Sequence, residues 1–92
     1  MDTPWFVYLI RTRQGQLYCG VTTDVSRRLI QHRQGKGARA LRGKGPLSLA
    51  WQSQPMEQRT AMQREWQIKQ WPKQRKEALC ARFCCVRDNG VD

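Results

Sequence analysis

The feature that most constrains this chain is a pair of short apolar stretches separated by a turn with one glycine. Trp5-Phe6-Val7-Tyr8-Leu9-Ile10, bounded by Pro4, is rich in aromatic and branched residues and reads as a strand, and Gln16 to Thr22 reads as its hairpin partner. With Arg13-Gln14-Gly15 as a three-residue loop and Gly15 in the left-handed conformation, Thr12 pairs with Gln16, Ile10 with Tyr18 and Tyr8 with Gly20. Side chains alternate across a strand, so this register puts both tyrosines on one sheet face. Val7, Leu9, Leu17, Cys19 and Val21 share the other, which is apolar enough to be the core. A two-residue loop would separate the tyrosines, so the shared face depends on the turn.

Beyond the hairpin, Thr23 or Asp24 is a good helix cap, and Val25 to about Arg33 follows as a helix buried along Val25 and Leu29. Arg28 and His32 stand one turn apart beside that stripe, while Arg27 and Gln31 point away. Gly35, Gly37, Gly43, Gly45 and Pro46 break up a basic loop, after which Leu47 to Trp51 reads as a third strand. From Pro55 or Met56 to about Gln70 the pattern is helical, with Ala61, Met62 and Ile68 facing one way and Gln63, Gln67 and Gln70 the other. Pro72 opens a shorter helix, Lys73 to about Leu79. The expected architecture is α+β, a small three-stranded antiparallel sheet flanked by helices, in a single domain over residues 1–80 with a C-terminal tail over 81–92. At 92 residues there is room for one core only.

Charge narrows the partners. Seventeen Lys and Arg against seven Asp and Glu give a net charge of +10. Nine of the basic residues lie between Arg11 and Lys44, against the single acid Asp24. Such a concentration matches a nucleic-acid binder, and equally a solvated basic surface, because net charge speaks to partners and not to chemistry. The longest apolar run, Trp5 to Ile10, is far short of the ~20 residues of a membrane span. The start Met1-Asp2-Thr3-Pro4 has no signal pattern. The expectation is a cytoplasmic protein without membrane association. Cys80 and the adjacent Cys84 and Cys85 read as reduced thiols, and zinc is disfavoured because no C-x-x-C occurs and His32 is the lone histidine.

Glu65 is the most informative single residue, because it sits in the apolar arc of its helix and a buried carboxylate needs compensation. One reading is an i, i+4 ion pair with Lys69. The other is a metal ligand facing the tyrosine side of the sheet. Tyr8 and Tyr18 can be ordinary strand residues, and Arg28 and His32 a semi-exposed pair at the core edge. Two phenols, a guanidinium, an imidazole and a carboxylate would together make a phosphodiesterase site.

Phe6-Val7-Tyr8, Tyr18-Cys19-Gly20, Thr23-Asp24 followed by Arg28 and His32, and Arg64-Glu65 with Gln67-Ile68-Lys69 occur in the order and at the intervals that resemble the GIY-YIG nuclease superfamily, most closely its small stand-alone YhbQ-like bacterial members. The resemblance runs from about Trp5 to Leu79. It departs at Phe6, where the name-giving motif has glycine, near Cys80, where some members carry an Asn, and over Arg39 to Arg42, where a Tyr-Thr is usual. It implies a metal-dependent endonuclease hydrolysing phosphodiester bonds in DNA, with structure-specific cleavage as one form of that activity. The alternative is a catalytically weak nucleic-acid-binding or adaptor module. RNA as substrate and a protein partner stay open.

The implied roles follow from the chemistry. Tyr8 or Tyr18 takes a proton from the attacking water as a phenolate, which at neutral pH requires nearby cations, Arg28, His32 or the metal, to depress an ordinary pKa of about 10. Arg28 holds the phosphate, His32 positions water or relays protons, and Glu65 binds Mg2+ or Mn2+. Arg27, Lys36, Arg39, Arg42, Lys44 and Lys69 are the cations expected on the nucleic acid.

Overall fold

The computed structural model describes residues 3–91, with side chains described through Phe83. Three strands and three helices follow in the order β1 (Phe6–Arg11), β2 (Leu17–Thr22), α1 (Val25–Arg33), a 3-10 turn (Arg39–Leu41), β3 (Ser48–Gln52), α2 (Gln58–Gln70) and α3 (Lys73–Val91). The α+β architecture with a three-stranded antiparallel sheet is therefore as expected, in the order β2-β1-β3.

The turn behaves as the sequence requires. Gly15 adopts φ +86°, a conformation that side chains with a Cβ resist. The Thr12 amide donates to the Gln16 carbonyl at 2.9 Å and the Gly15 amide to the Thr12 carbonyl at 2.9 Å. The resulting register pairs Tyr8 with Gly20 and Ile10 with Tyr18. β3 joins the other edge of β1 through a slip between Leu9 and Ile10, which leaves Ala50 unpaired and puts the adjacent Ala50 and Trp51 on the same face.

The sheet is packed on both faces. Val7, Leu9, Cys19 and Ala50 lie against Ala61 and Ile68 of α2 and Cys80 of α3. Tyr8 and Ile10 lie against Val25 of α1 and Leu41 and Leu47 of the following loop, with Tyr18, Leu29 and Leu49 around them. The sequence assigned a core to the first face only. The second became one because α1 and the glycine-rich loop fold over it, leaving Tyr8 2% exposed. α1 starts where Asp24 accepts from the Arg27 amide at 3.0 Å.

Two helix boundaries differ from expectation. α2 begins at Gln58, not at Pro55 or Met56, because Met56 pairs with Trp5 through reciprocal backbone bonds of 2.8 and 2.9 Å. α3 does not end near Leu79 but runs to Val91, through most of the stretch read as a tail. The side chains of Cys84 and Cys85 lie outside the described residues, whereas Cys19 and Cys80 are buried. Met62, expected in the core, is 51% exposed. The contact line of α2 is Ala61, Glu65 and Ile68, and Met62 lies about 100° round the helix from Ala61. Arg11 ties β1 to α3 through two bonds to the Glu77 carboxylate, 2.7 and 2.8 Å. Among the described residues, no helix is long and apolar enough to cross a membrane.

Candidate active site

The hairpin register sets Tyr8 and Tyr18 side by side, with ring centroids 6.4 Å apart. α1 lies over this face and lowers His32 onto both rings, 5.9 Å from Tyr8 and 5.6 Å from Tyr18. The Tyr8 hydroxyl and His32 Nε2 are 2.9 Å apart. Arg28, one turn earlier, donates from Nη1 to the Gln31 side chain at 3.1 Å and is the cation that acts on the Tyr8 phenol. The structure thus gathers four of the five expected catalytic residues, Tyr8, Tyr18, Arg28 and His32.

Backbone geometry sets the protonation of the histidine. The Ala38 amide donates to His32 Nδ1 at 3.1 Å, so Nδ1 is the acceptor nitrogen and Nε2 carries the hydrogen in the neutral ring. His32 Nε2–H therefore donates to the Tyr8 oxygen, and the Tyr8 O–H is left to point elsewhere. Burial first, and then the Arg28 guanidinium, lowers the His32 pKa from its ordinary 6.5. The ring is 2% exposed and has both nitrogens engaged, so the neutral His32 is held as a donor to the Tyr8 oxygen.

The phenol also departs from expectation. Burial pushes the Tyr8 pKa up to about 12, outweighing the bond and charge of Arg28, while Tyr18 pushes in the same upward direction. The cations near Tyr8 do not make it a resident phenolate. Tyr18 is only half-buried, and it lines a cleft with Lys44 and Gln16.

Two glycines make this packing sterically feasible. A Cβ at Gly20 would lie 2.5 Å from the Tyr8 hydroxyl oxygen, and one at Gly37 would fall on the His32 ring. Sequence reasoning quoted Gly20 only as part of a motif and treated Gly37 as a loop breaker. It also missed Ala38, which contributes a backbone amide and has no side-chain signal, and Arg33, whose Nε and Nη2 clamp the Leu47 carbonyl at 3.1 and 3.0 Å.

Glu65 stands apart from this cluster. Its helix packs on the Val7, Leu9 and Cys19 face, which corrects the expectation that the carboxylate faces the tyrosine side. It pairs with Lys69 at 3.3 Å, the i, i+4 reading, and is close enough to Cys19 to add to the burial that pushes that thiol up to about 12. Lys69 is thereby on the helix side and not among the loop cations. Among the described residues no group of three or more His, Cys, Asp or Glu could hold a metal. Glu65 nonetheless fits a hard cation of the Mg2+ type, which takes one or two carboxylates and keeps several waters. Its side chain is 21% exposed, and its Lys69 partner, half exposed, can move away.

Of the remaining expected cations, Arg27 is exposed at the start of α1, beside Arg28 in a shallow cleft, and Lys36 and Arg39 are exposed on the loop. Arg42 is exposed and braces the Gly35 carbonyl from Nε at 3.2 Å, and Lys44 bonds the Gln16 side chain at 3.2 Å.

Comparison with known proteins identifies the family. The family model described as the GIY-YIG catalytic domain matches residues 4–78. A UPF0213 protein of Vibrio cholerae is 52% identical over 82 residues, covering 88% of this chain and 81% of the relative. A UPF0213 protein of Yersinia pestis is 53% identical over 78 residues, covering 85% and 82%. A UPF0213 protein of Bacillus halodurans, solved by solution NMR, superposes with a TM-score of 0.54 at 35% identity, covering 85% of this chain and 83% of the other. With the family model matched over residues 4–78 and relatives more than 50% identical over most of both chains, the chain belongs to the GIY-YIG family of nuclease domains.

Proposed function

We propose that the protein is a metal-dependent endonuclease that hydrolyses phosphodiester bonds in DNA. The observation that carries this reading is the convergence of Tyr8, Tyr18 and His32 beside Arg28, with the histidine held as a donor to one phenol. Phosphodiester hydrolysis needs an oriented water, a group to take its proton, and positive charge on the phosphoryl oxygens. Arg28 supplies the last. Tyr8, whose oxygen accepts from His32 and whose proton is held by burial, acts as a hydrogen-bond donor that orients the phosphoryl group or the water. Tyr18, the less buried phenol, takes the water's proton as its phenolate, having first released its own proton to solvent. Glu65, on the helix packed behind the edge strand β2, would hold a divalent metal whose Lewis-acid stabilisation of the developing charge would reach the phosphate around that edge. Arg27, Lys36, Arg39, Arg42 and Lys44 bind the strand through phosphate contacts, Arg42 and Lys44 with groups left over from their internal bonds.

The Glu65–Lys69 pair on the far face favours one second reading, a nucleic-acid-binding module without turnover. A labelled panel of duplex, flap, branched and single-stranded DNA and RNA, incubated with and without Mg2+ or Mn2+, separates the two. The nuclease reading expects metal-dependent cleavage that Glu65→Ala abolishes at equal folded concentration, with nucleic-acid binding retained. Equal cleavage rates in the two proteins would sink the metal-ligand assignment, and binding without cleavage of any substrate would leave the adaptor.

A further inference from the structure

Beside His32, the end of α1 and the loop after it enclose a cleft of about 490 Å3. That size falls in the range of about 300–1,000 Å3 typical of small-molecule sites. His32 and Arg33 of α1 and Leu41, Arg42, Pro46 and Leu47 of the loop line it. Two features distinguish it from a generic surface depression.

The first is its charge. Two guanidinium groups share the cleft, and no acidic residue occurs anywhere between Asp24 and Glu57 in the sequence. Neither arginine is in an ion pair among the described residues. Both are already positioned by backbone carbonyls: Arg33 spends Nε and Nη2 on Leu47, and Arg42 spends Nε on Gly35. Arg33 keeps Nη1, and Arg42 keeps both terminal nitrogens. Gathering two like charges is unfavourable unless an anion joins them, and holding them in place beforehand lowers the entropy lost when it does. The second feature is the apolar part of the lining, Leu41, Leu47 and Pro46, which suits a flat, weakly polar group beside the anion.

We propose that this cleft is a nucleotide subsite, taking one nucleoside phosphate of the bound strand with its phosphate on Arg42 and Arg33 and its base against Leu41, Pro46 and Leu47. The assignment rests on the nuclease reading only in taking the ligand to be a unit of the substrate strand. Because His32 forms a wall of both the cleft and the tyrosine cluster, a nucleotide held here fixes the strand relative to the scissile phosphate.

The test is binding of 2′-deoxyadenosine 5′-monophosphate, inorganic phosphate and deoxyadenosine to the whole protein, followed by amide chemical shifts and calorimetry. The monophosphate is expected to shift the amides of Arg42, Gly43 and Leu47 and to bind more tightly than either fragment. Arg42→Ala is expected to weaken it roughly tenfold, the loss of a charge-assisted contact. Glu65→Ala is expected to bind it like the wild type, and a wild-type protein that binds nucleotide in the cleft but cuts no substrate of the panel refutes the nuclease reading and not the subsite. Shifts confined to Tyr18 and Arg28, affinity for inorganic phosphate equal to that for the monophosphate, no saturable binding at millimolar concentrations, or unchanged affinity in Arg42→Ala would each overturn the subsite.

Discussion

Gly20→Ala tests the reasoning about the tyrosine cluster most directly. An ideal Cβ at this position lies 2.5 Å from the Tyr8 hydroxyl oxygen and 2.7 Å from Cζ, where ordinary contact begins at 3.4 Å, so the phenol must retreat by about 0.9 Å. The ring has little room to do so. It is 2% exposed, packed against Tyr18 and His32, and bonded to His32 Nε2 at 2.9 Å. Overpacking of this kind costs about 1–3 kcal/mol. Stretching the buried hydrogen bond adds up to about 1 kcal/mol, and replacing glycine within a strand returns about 0.5–1 kcal/mol through backbone entropy. At mid-range these terms net to a loss of about 2 kcal/mol, which for a domain of this size lowers Tm by about 8–16 °C.

Urea and thermal unfolding of the wild type, Gly20→Ala, Tyr8→Leu and the double variant measure this. Leucine lacks the ring end that meets the new methyl, so Gly20→Ala should cost little in the Tyr8→Leu background, giving a coupling of at least about 1 kcal/mol. Should Gly20→Ala prove as stable as the wild type, as strand propensity alone would have it, or should the two changes be additive, the close approach of Tyr8 to Gly20 is refuted. Cleavage should fall with the His32–Tyr8 bond even in molecules that remain folded.

The remaining predictions concern titration and charge. The lowered His32 pKa means the unfolded chain binds a proton more readily, so stability should be full above about 6.5 and fall as pH drops through the folded value, and His32→Gln should lose this acid sensitivity in pH-dependent melts. Tyr8 is the opposite case: its pKa, raised to about 12, contributes stability below pH 10 that is lost as pH rises towards 12, and ultraviolet titration of Tyr8→Phe should lack the late-titrating phenol. The Arg11 bond holds the Glu77 carboxyl below its usual range, so this pair's contribution should be present above pH 4.5 and fade as the pH falls. With the two side chains 35% and 37% exposed, Glu77→Gln should cost less than about 1 kcal/mol and the effect should shrink in high salt. Charge reversal at Lys36, Arg39 and Arg42 should leave the fold intact while flattening the salt dependence of polynucleotide binding, and binding insensitive to salt would reject a phosphate-led interface.

The hairpin was legible because its determinants are local. Gly15 alone sets the loop length, loop length sets register, and register sets which side chains share a face, so the meeting of Tyr8 and Tyr18 could be read before any coordinates. The cap at Asp24 and the one-turn spacing of Arg28 and His32 were legible for the same reason. Glu65 shows where that logic ends. Periodicity placed it in the buried arc of α2, but which sheet face the helix covers depends on contacts across forty and more residues, and a pattern along one helix carries no information about them.

The same limit hid the electrostatics. The residue types announced a site rich in cations, from which a depressed phenol pKa followed, yet packing of α1 and the 35–47 loop buried Tyr8 until desolvation outweighed the neighbouring charge. The tautomer of His32 was decided by a backbone amide, that of Ala38, which every residue but proline possesses and which no sequence pattern marks. The sequence by itself determined the elements, the register of the hairpin and the chemical groups available. Only the tertiary structure decided how deeply each group is buried and which hydrogen bond it makes, because desolvation and hydrogen-bond geometry depend on atoms brought together from distant parts of the chain.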